Sequence, residues 1–155
     1  MFEIKEILDT EEKSLICASI LSALPSWFGI ETSIIDYSER VKAMPFYAAF
    51  NNTTIGFVAI KNHNPFTSEI YVMGVLEEYH RQGLGKRLVE KCENYCKDNK
   101  IEFLTVKTLS SLNENKNYEN TRLFYHVLGF RPLEVFPLLW DENNPCLFMA
   151  KYVGV

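Results

Sequence analysis

The stretch from Glu69 to Glu90 constrains the fold more than any other part of the chain. It opens with Glu-Ile-Tyr-Val-Met-Gly-Val, apolar and β-prone, which reads as a strand. A polar turn follows, with Arg81, Gln82, Gly83 and Gly85 placed as a glycine loop. From Leu84 onward, Leu84, Leu88, Val89, Cys92 and Tyr95 recur at helical spacing. Strand, glycine loop and helix in that order build an anion cradle. The glycines let the backbone come close to a phosphate, and the free N–H groups of the first helical turn point at it. Arg81, Lys86 and Arg87 add positive charge where a diphosphate would sit.

Two common glycine loops do not fit. The dinucleotide fingerprint needs a third glycine, and Leu88 stands there. The P-loop needs wider glycine spacing and a Ser or Thr after the lysine, where Arg87 follows Lys86. The segment His80-Arg81-Gln82-Gly83-Leu84-Gly85 does resemble the Arg/Gln-x-x-Gly-x-Gly/Ala signature of the GNAT N-acetyltransferases. The departure is His80, where the family most often has Arg or Gln.

A second segment is similar to the same family. Tyr118 to Phe130 resembles its Asn-x-x-Ala-x-x-x-Tyr-x-x-x-Gly-Phe pattern, with Tyr125, Gly129 and Phe130 in register. Tyr118 holds the position of the family's pantetheine-contacting asparagine, Asn120 is displaced by two residues, and Thr121 and Arg122 replace a small apolar pair. Whether Tyr118 or Asn120 takes over that contact stays open at this level. Trp27-Phe28-Gly29, Val106 to Leu109 and Asn144-Pro145-Cys146 also resemble an uncharacterised branch of small bacterial acetyltransferases.

At 155 residues the chain is long enough to bury a full core, and 47% apolar content is that of a folded protein. The expectation is one N-acetyltransferase domain over 1–155, with an acetyl-CoA core at about 46–152 and acceptor-side helices within 10–43. The net charge of −4 argues against a nucleic-acid partner and favours a cationic acceptor. No apolar run is long enough to span a membrane. Acidic residues in Met-Phe-Glu-Ile-Lys-Glu speak against a signal peptide, so a cytoplasmic location is expected. Cys17, Cys92, Cys96 and Cys146 lack Cys-x-x-Cys spacing, and His63, His80 and His126 lack ligand spacing, so no metal is expected. The oligomeric state, monomer or homodimer, stays open at this level.

Phe2 to Ile7 reads as a strand, and Asp9 with Glu12 as a capping box opening a helix that Pro25 ends. A second helix is expected from Thr32 to Lys42. Phe46 to Phe50 and Ile55 to Ile60 form a hairpin around Asn51 to Thr54, and Asn62 to Pro65 breaks the chain before the central strand. Ile101 to Leu109 is a strand, Ser110 to Asn117 a polar loop and Asn120 to Leu128 a helix capped by Gly129. Phe130 to Phe136 and Cys146 to Tyr152 are the closing strands, with a loop from Pro137 to Pro145. The order β-α-α-β-β-β-α-β-α-β-β predicts an α/β fold whose mixed sheet is flanked by helices. The resemblance makes that sheet mostly antiparallel, with helices on both faces.

Acetyl transfer from a thioester to an amine needs a base, because an alkylammonium has a pKa of about 10.4. It also needs a donor where negative charge develops on the carbonyl. Glu69 is the best candidate base: strand alternation puts 69, 71, 73 and 75 on one face unless a bulge intervenes. Glu102 and Glu134 are weaker candidates. The resemblance implies that the Val75 N–H polarises the carbonyl and that Met73, Gly74 and Val75 pair with pantetheine. It also implies that Arg81 to Lys86 hold the pyrophosphate and that Tyr125 protonates the departing thiolate. Gly74 would remove a side chain where the cofactor passes. Trp27, Phe28 and the Pro137 to Trp140 segment are acceptor walls or core. A non-catalytic acyl-CoA sensor is the alternative to an enzyme, and a nucleotide-binding protein a third reading.

Overall fold

The computed structural model describes residues 2–154. The elements are β1 (Glu3–Glu6), α1 (Thr10–Ser22), α2 (Glu31–Arg40), β2 (Phe46–Asn51), β3 (Thr53–Asn64), β4 (Thr67–Val75), α3 (Leu84–Asp98), β5 (Phe103–Leu109), α4 (Lys116–Val127), β6 (Arg131–Asp141) and β7 (Asn144–Tyr152). They form a seven-stranded sheet of order β1-β2-β3-β4-β5-β7-β6. Every neighbouring pair is antiparallel except β4 and β5. This is the mixed, mostly antiparallel sheet expected.

Local chemistry sets the boundaries. Asp9 accepts the Glu12 N–H at 2.9 Å and so caps α1. Asn52, with φ 66°, makes the tight β2–β3 turn, and Gly129, at φ 101°, follows α4. Three boundaries lie more than two residues from the sequence reading. Strand β3 runs through the polar Asn62 to Asn64 because Ser68 and Glu69 supply cross-strand partners for Asn62 and His63. Helix α4 begins at Lys116, since Asn115 caps it by accepting the Asn117 N–H. Strand β6 continues past Pro137 to Asp141 as an irregular edge, where a missing N–H is tolerated.

The sheet separates two cores. On one face Ile16, Ile20 and Leu21 of α1, with Leu24 just beyond it, pack on Phe46, Phe57 and Val72. On the other, Leu84, Leu88, Val89, Cys92 and Cys96 of α3, with Tyr125 of α4, pack on Val58, Ile60, Ile70, Leu104 and Val106. Cys92 and Cys96 are buried, free packing residues. Burial of these side chains is what holds the layers together, at roughly 1.5–3 kcal/mol for each large one.

Candidate active site

The one parallel pair in the sheet makes the site. β4 and β5 stay in register only from Thr67↔Phe103 to Ile70↔Val106. Beyond that the strands part, and the end of β4 keeps its ladder only with β3. The wedge between them opens into a cavity of about 1350 Å³, lined along its length by Ile70 to Val75 and Val106 to Thr108.

A β-bulge shapes the wall. Ala59 pairs with Val72 and Ile60 with Ile70, which leaves Tyr71 as an extra residue on β4. Alternation therefore slips at this point. Met73 and Val75 pack toward the α3 core, whereas Val72 belongs to the α1 core and Tyr71 packs against it. Glu69 and Val75 thus do not share a face, which corrects the simple alternation read from the sequence. Gly74 faces α1: a Cβ there would lie 2.9 Å from Ile20 Cγ2 and 3.2 Å from Leu24 Cδ1. Its missing side chain makes room for α1 and not for a ligand, although its backbone still borders the cavity.

One end of the wedge has the geometry of an anion cradle. Arg81 and Gly83 both adopt positive φ, 63° and 80°, just before α3. Such turns gather successive N–H groups on one side. The first helical N–H to find an acceptor there is that of Arg87, on Gly83 O at 3.1 Å. The amides before it face the cavity end with the positive pole of the helix behind them. Arg81, Gly83, Gly85 and Lys86 line this end. Gly83 has open space where a Cβ would be, whereas one on Gly85 would meet the Phe124 ring at 3.1 Å. The first glycine serves the turn and the second serves helix packing. Side chains at the other loop positions are engaged with the protein itself. Leu84 is in the core, Gln82 donates to Glu78 O at 3.0 Å, and His80 Nε2 donates to Val75 O at 2.7 Å. His80 therefore fixes the end of β4 and stacks edge-on to Trp27 at 5.5 Å.

At the other end Glu69 is buried, 4% exposed. Its Oε1 lies 2.6 Å from His63 Nε2, and Lys107 Nζ reaches the two oxygens at 3.2 and 3.4 Å. Lys107 and Glu69 border the cavity while His63 looks outward. Phe28, Tyr37 and Tyr71 continue this wall edge to face, at 6.1 and 5.5 Å. Burial, with Tyr37 beside it, pushes the Tyr71 phenol up to about 12.

Helix α4 closes the far side. Tyr125 is buried between Phe124 and Phe130, and burial raises its hydroxyl well above the ordinary phenol range, Cys92 and Tyr118 adding to the shift. Tyr118, raised by burial to about 12, donates to Trp27 O at 2.7 Å and so ties α4 to the loop after α1. Thr121 donates to Asn117 O at 3.1 Å; Tyr118, Asn120, Thr121 and Trp140 all border the cavity. Among the described residues Thr108 Oγ1, also on this wall, is the buried side-chain polar atom left without a hydrogen-bond partner.

The model of the Acetyltransferase (GNAT) family matches residues 13–130. The chain belongs to that family. An uncharacterised N-acetyltransferase of Chlorobaculum tepidum is 35% identical over 120 residues, 76% of this chain and 70% of its own length. Solved structures with the same fold include a GNAT-family protein from Desulfovibrio desulfuricans, with TM-score 0.84, 14% identity and coverage of 99% of this chain and 100% of that one. An aminoglycoside 6′-N-acetyltransferase complexed with coenzyme A has TM-score 0.78 and 18% identity over 97% of both chains. A GNAT-family acetyltransferase from Elizabethkingia anophelis with acetyl-CoA bound has TM-score 0.73 and 18% identity, again over 97% of both.

Within this GNAT chain the structure brings Glu69, Met73, Gly74, Val75, His80, Arg81, Gly83, Gly85, Lys86, Tyr118, Thr121 and Tyr125 around one cavity. Gln82 and Leu84 are not on its wall and can reach it only through their backbone. Glu102 and Glu134 are likewise off the wall. Sequence reasoning missed His63, Lys107, Lys61 and Thr108. His63 and Lys107 lie 6 and 38 residues from Glu69, so only the β3–β4–β5 register makes them neighbours.

Proposed function

We propose that this chain transfers an acetyl group from acetyl-CoA to a primary amine of a small molecule or of a protein or peptide, by direct attack in a ternary complex. One observation carries the reading: a single wedge has an amide-lined anion cradle at one end and a buried carboxylate at the other. A phosphate-bearing thioester threaded between β4 and β5 would place its acyl carbon between the two.

The residues present fit such a ligand. Backbone amides from Gly83 to Lys86, with Arg81 and Lys86, would hold the pyrophosphate. The free edge of β4 would pair with the pantetheine arm, and Thr108 Oγ1 would find there the partner it lacks in the protein. Acetyl-CoA, when bound, supplies an activated acyl group and a thiolate leaving group. A backbone N–H on the free edge of β4, nearer Glu69 than Val75 is, would stabilise the oxyanion. Glu69 would take the proton from the incoming ammonium. His63, hydrogen-bonded to the same oxygen and facing solvent, gives that proton a way out. Tyr125, whose raised phenol stays protonated at neutral pH, would hydrogen-bond the departing sulfur. Full transfer would leave a buried tyrosinate, so donation of a hydrogen bond is the favoured role, with the sulfur's proton coming finally from solvent.

The test is thiol release from acetyl-CoA over a panel of amines and peptides, beside calorimetric titration with coenzyme A. Binding together with amine-dependent release supports the enzyme. Binding with no release for any amine would favour the acyl-CoA sensor, and no binding would remove both readings.

A further inference from the structure

The wall around Glu69 is richer in cations than the chain's net charge of −4 suggests. Screening limits a bound molecule to charges within about 8 Å, so the local set decides. Five charged side chains border this end of the cavity: Asp36, Arg40, Lys61, Glu69 and Lys107. Both carboxylates are already matched. Asp36 pairs with Arg40 at 3.0 Å, and buried Glu69 pairs with Lys107 at 3.2 Å. Lys61 is left over. It stands opposite Glu69 in the β3–β4 ladder, with its Nζ 5.9 Å from the centre of the Tyr71 ring. Among the described residues it forms no ion pair.

We infer that the accepted amine carries an anionic group, a carboxylate or phosphate, that Lys61 binds; the inference rests on the N-acetyltransferase reading above. Such a molecule would set its amine toward Glu69 and its anionic group on Lys61, with Arg40 nearby, while Phe28, Tyr37 and Tyr71 cover the part between. A polyamine would meet the opposite: a second ammonium would face Lys61, Arg40 and Lys107, with each nearby carboxylate already paired. A cationic acceptor, expected from net charge, is therefore not the one this wall selects.

The experiment compares matched pairs on the full chain: an α-amino acid against its amide, and an aminoalkyl phosphate against the corresponding amino alcohol. The anionic member of at least one pair should have a kcat/KM at least about tenfold higher, the scale of a charge-assisted hydrogen bond. Which pair shows the preference tells carboxylate from phosphate. Lys61→Gln should erase most of it through KM, and Lys61→Arg should restore it. Amides, amino alcohols or polyamines used equally well or better would overturn the inference, as would a preference that survives Lys61→Gln. Melting shifts with the same pairs, in the presence of coenzyme A, give a readout that needs no turnover. A larger shift with anionic members supports the inference even if no thiol is released, a result that would count against the catalytic reading alone. Equal shifts overturn the inference while leaving acetyl transfer intact.

Discussion

The two ends of the wedge are built from different materials. At the cradle end the recognition groups are backbone amides, set by two left-handed residues and the start of α3. At the Glu69 end, the proposed acceptor end, they are side chains contributed by α2, β3, β4 and β5. A backbone site tolerates changes in side-chain identity, as His80 shows by turning its ring to Val75 O while the loop keeps its shape. A side-chain site does not, because its character rests on which charges are paired, as Glu69 is with Lys107, and which is left over, as Lys61 is. The first end is suited to a constant ligand portion and the second to a selective one.

Glu69→Gln should break this comparison hardest. The variant keeps volume and hydrogen-bonding oxygen but loses the base, so kcat should fall about a hundredfold or more, the usual scale for a positioned general base. Affinity for coenzyme A, held at the opposite end, should be unchanged by calorimetry. The melting temperature should also drop, because Lys107 would lose its ionic partner beside a buried group. A variant with wild-type kcat and an unaltered pH–rate profile would remove Glu69 from proton transfer and leave it a structural counterion.

The same division explains what could be seen in the sequence. The cradle lies within one contiguous segment, and the spacing of Gly83, Gly85 and the apolar stripe of α3 exposes it directly. Tyr125, Gly129 and Phe130 are equally local. The partners of Glu69 were invisible because strand register, not spacing, joins them. The Tyr71 bulge was invisible for a related reason: it depends on how Ala59 and Ile60 pair across the ladder, and it reverses the facing of every residue after it. Gly74 shows the limit of motif reasoning. A glycine beside a ligand path suggested ligand clearance, yet the tight neighbour is Ile20, more than fifty positions away in the chain.

Tyr125→Phe tests the boundary between the two ends and should have a middle-sized effect. The ring remains packed between Phe124 and Phe130, so stability should hardly change. Loss of one hydrogen bond to the departing sulfur should lower kcat by about tenfold, or roughly 1.4 kcal/mol of transition-state stabilisation. The effect should shrink with an acyl donor whose thiol is more acidic, because a better leaving group needs less help. An undiminished effect across such donors would mean that Tyr125 acts through packing alone.

Gly83→Ala should have the smallest effect, and it isolates the backbone contribution. An added Cβ meets no atom within 4 Å, so no clash contributes. What remains is the left-handed conformation, φ 80°, which costs an alanine about 1 kcal/mol relative to glycine. Denaturant unfolding should show a loss of that size. Coenzyme A affinity should fall several-fold, while the acceptor's KM, set at the other end, should stay put. Arg81 already adopts φ 63° with a side chain, so the loop accommodates some strain without losing its form. If Gly83→Ala lost stability as stated but bound coenzyme A as tightly as before, the phosphates would have to rest on Arg81 and Lys86 side chains. The contrast between a backbone end and a side-chain end would then fail.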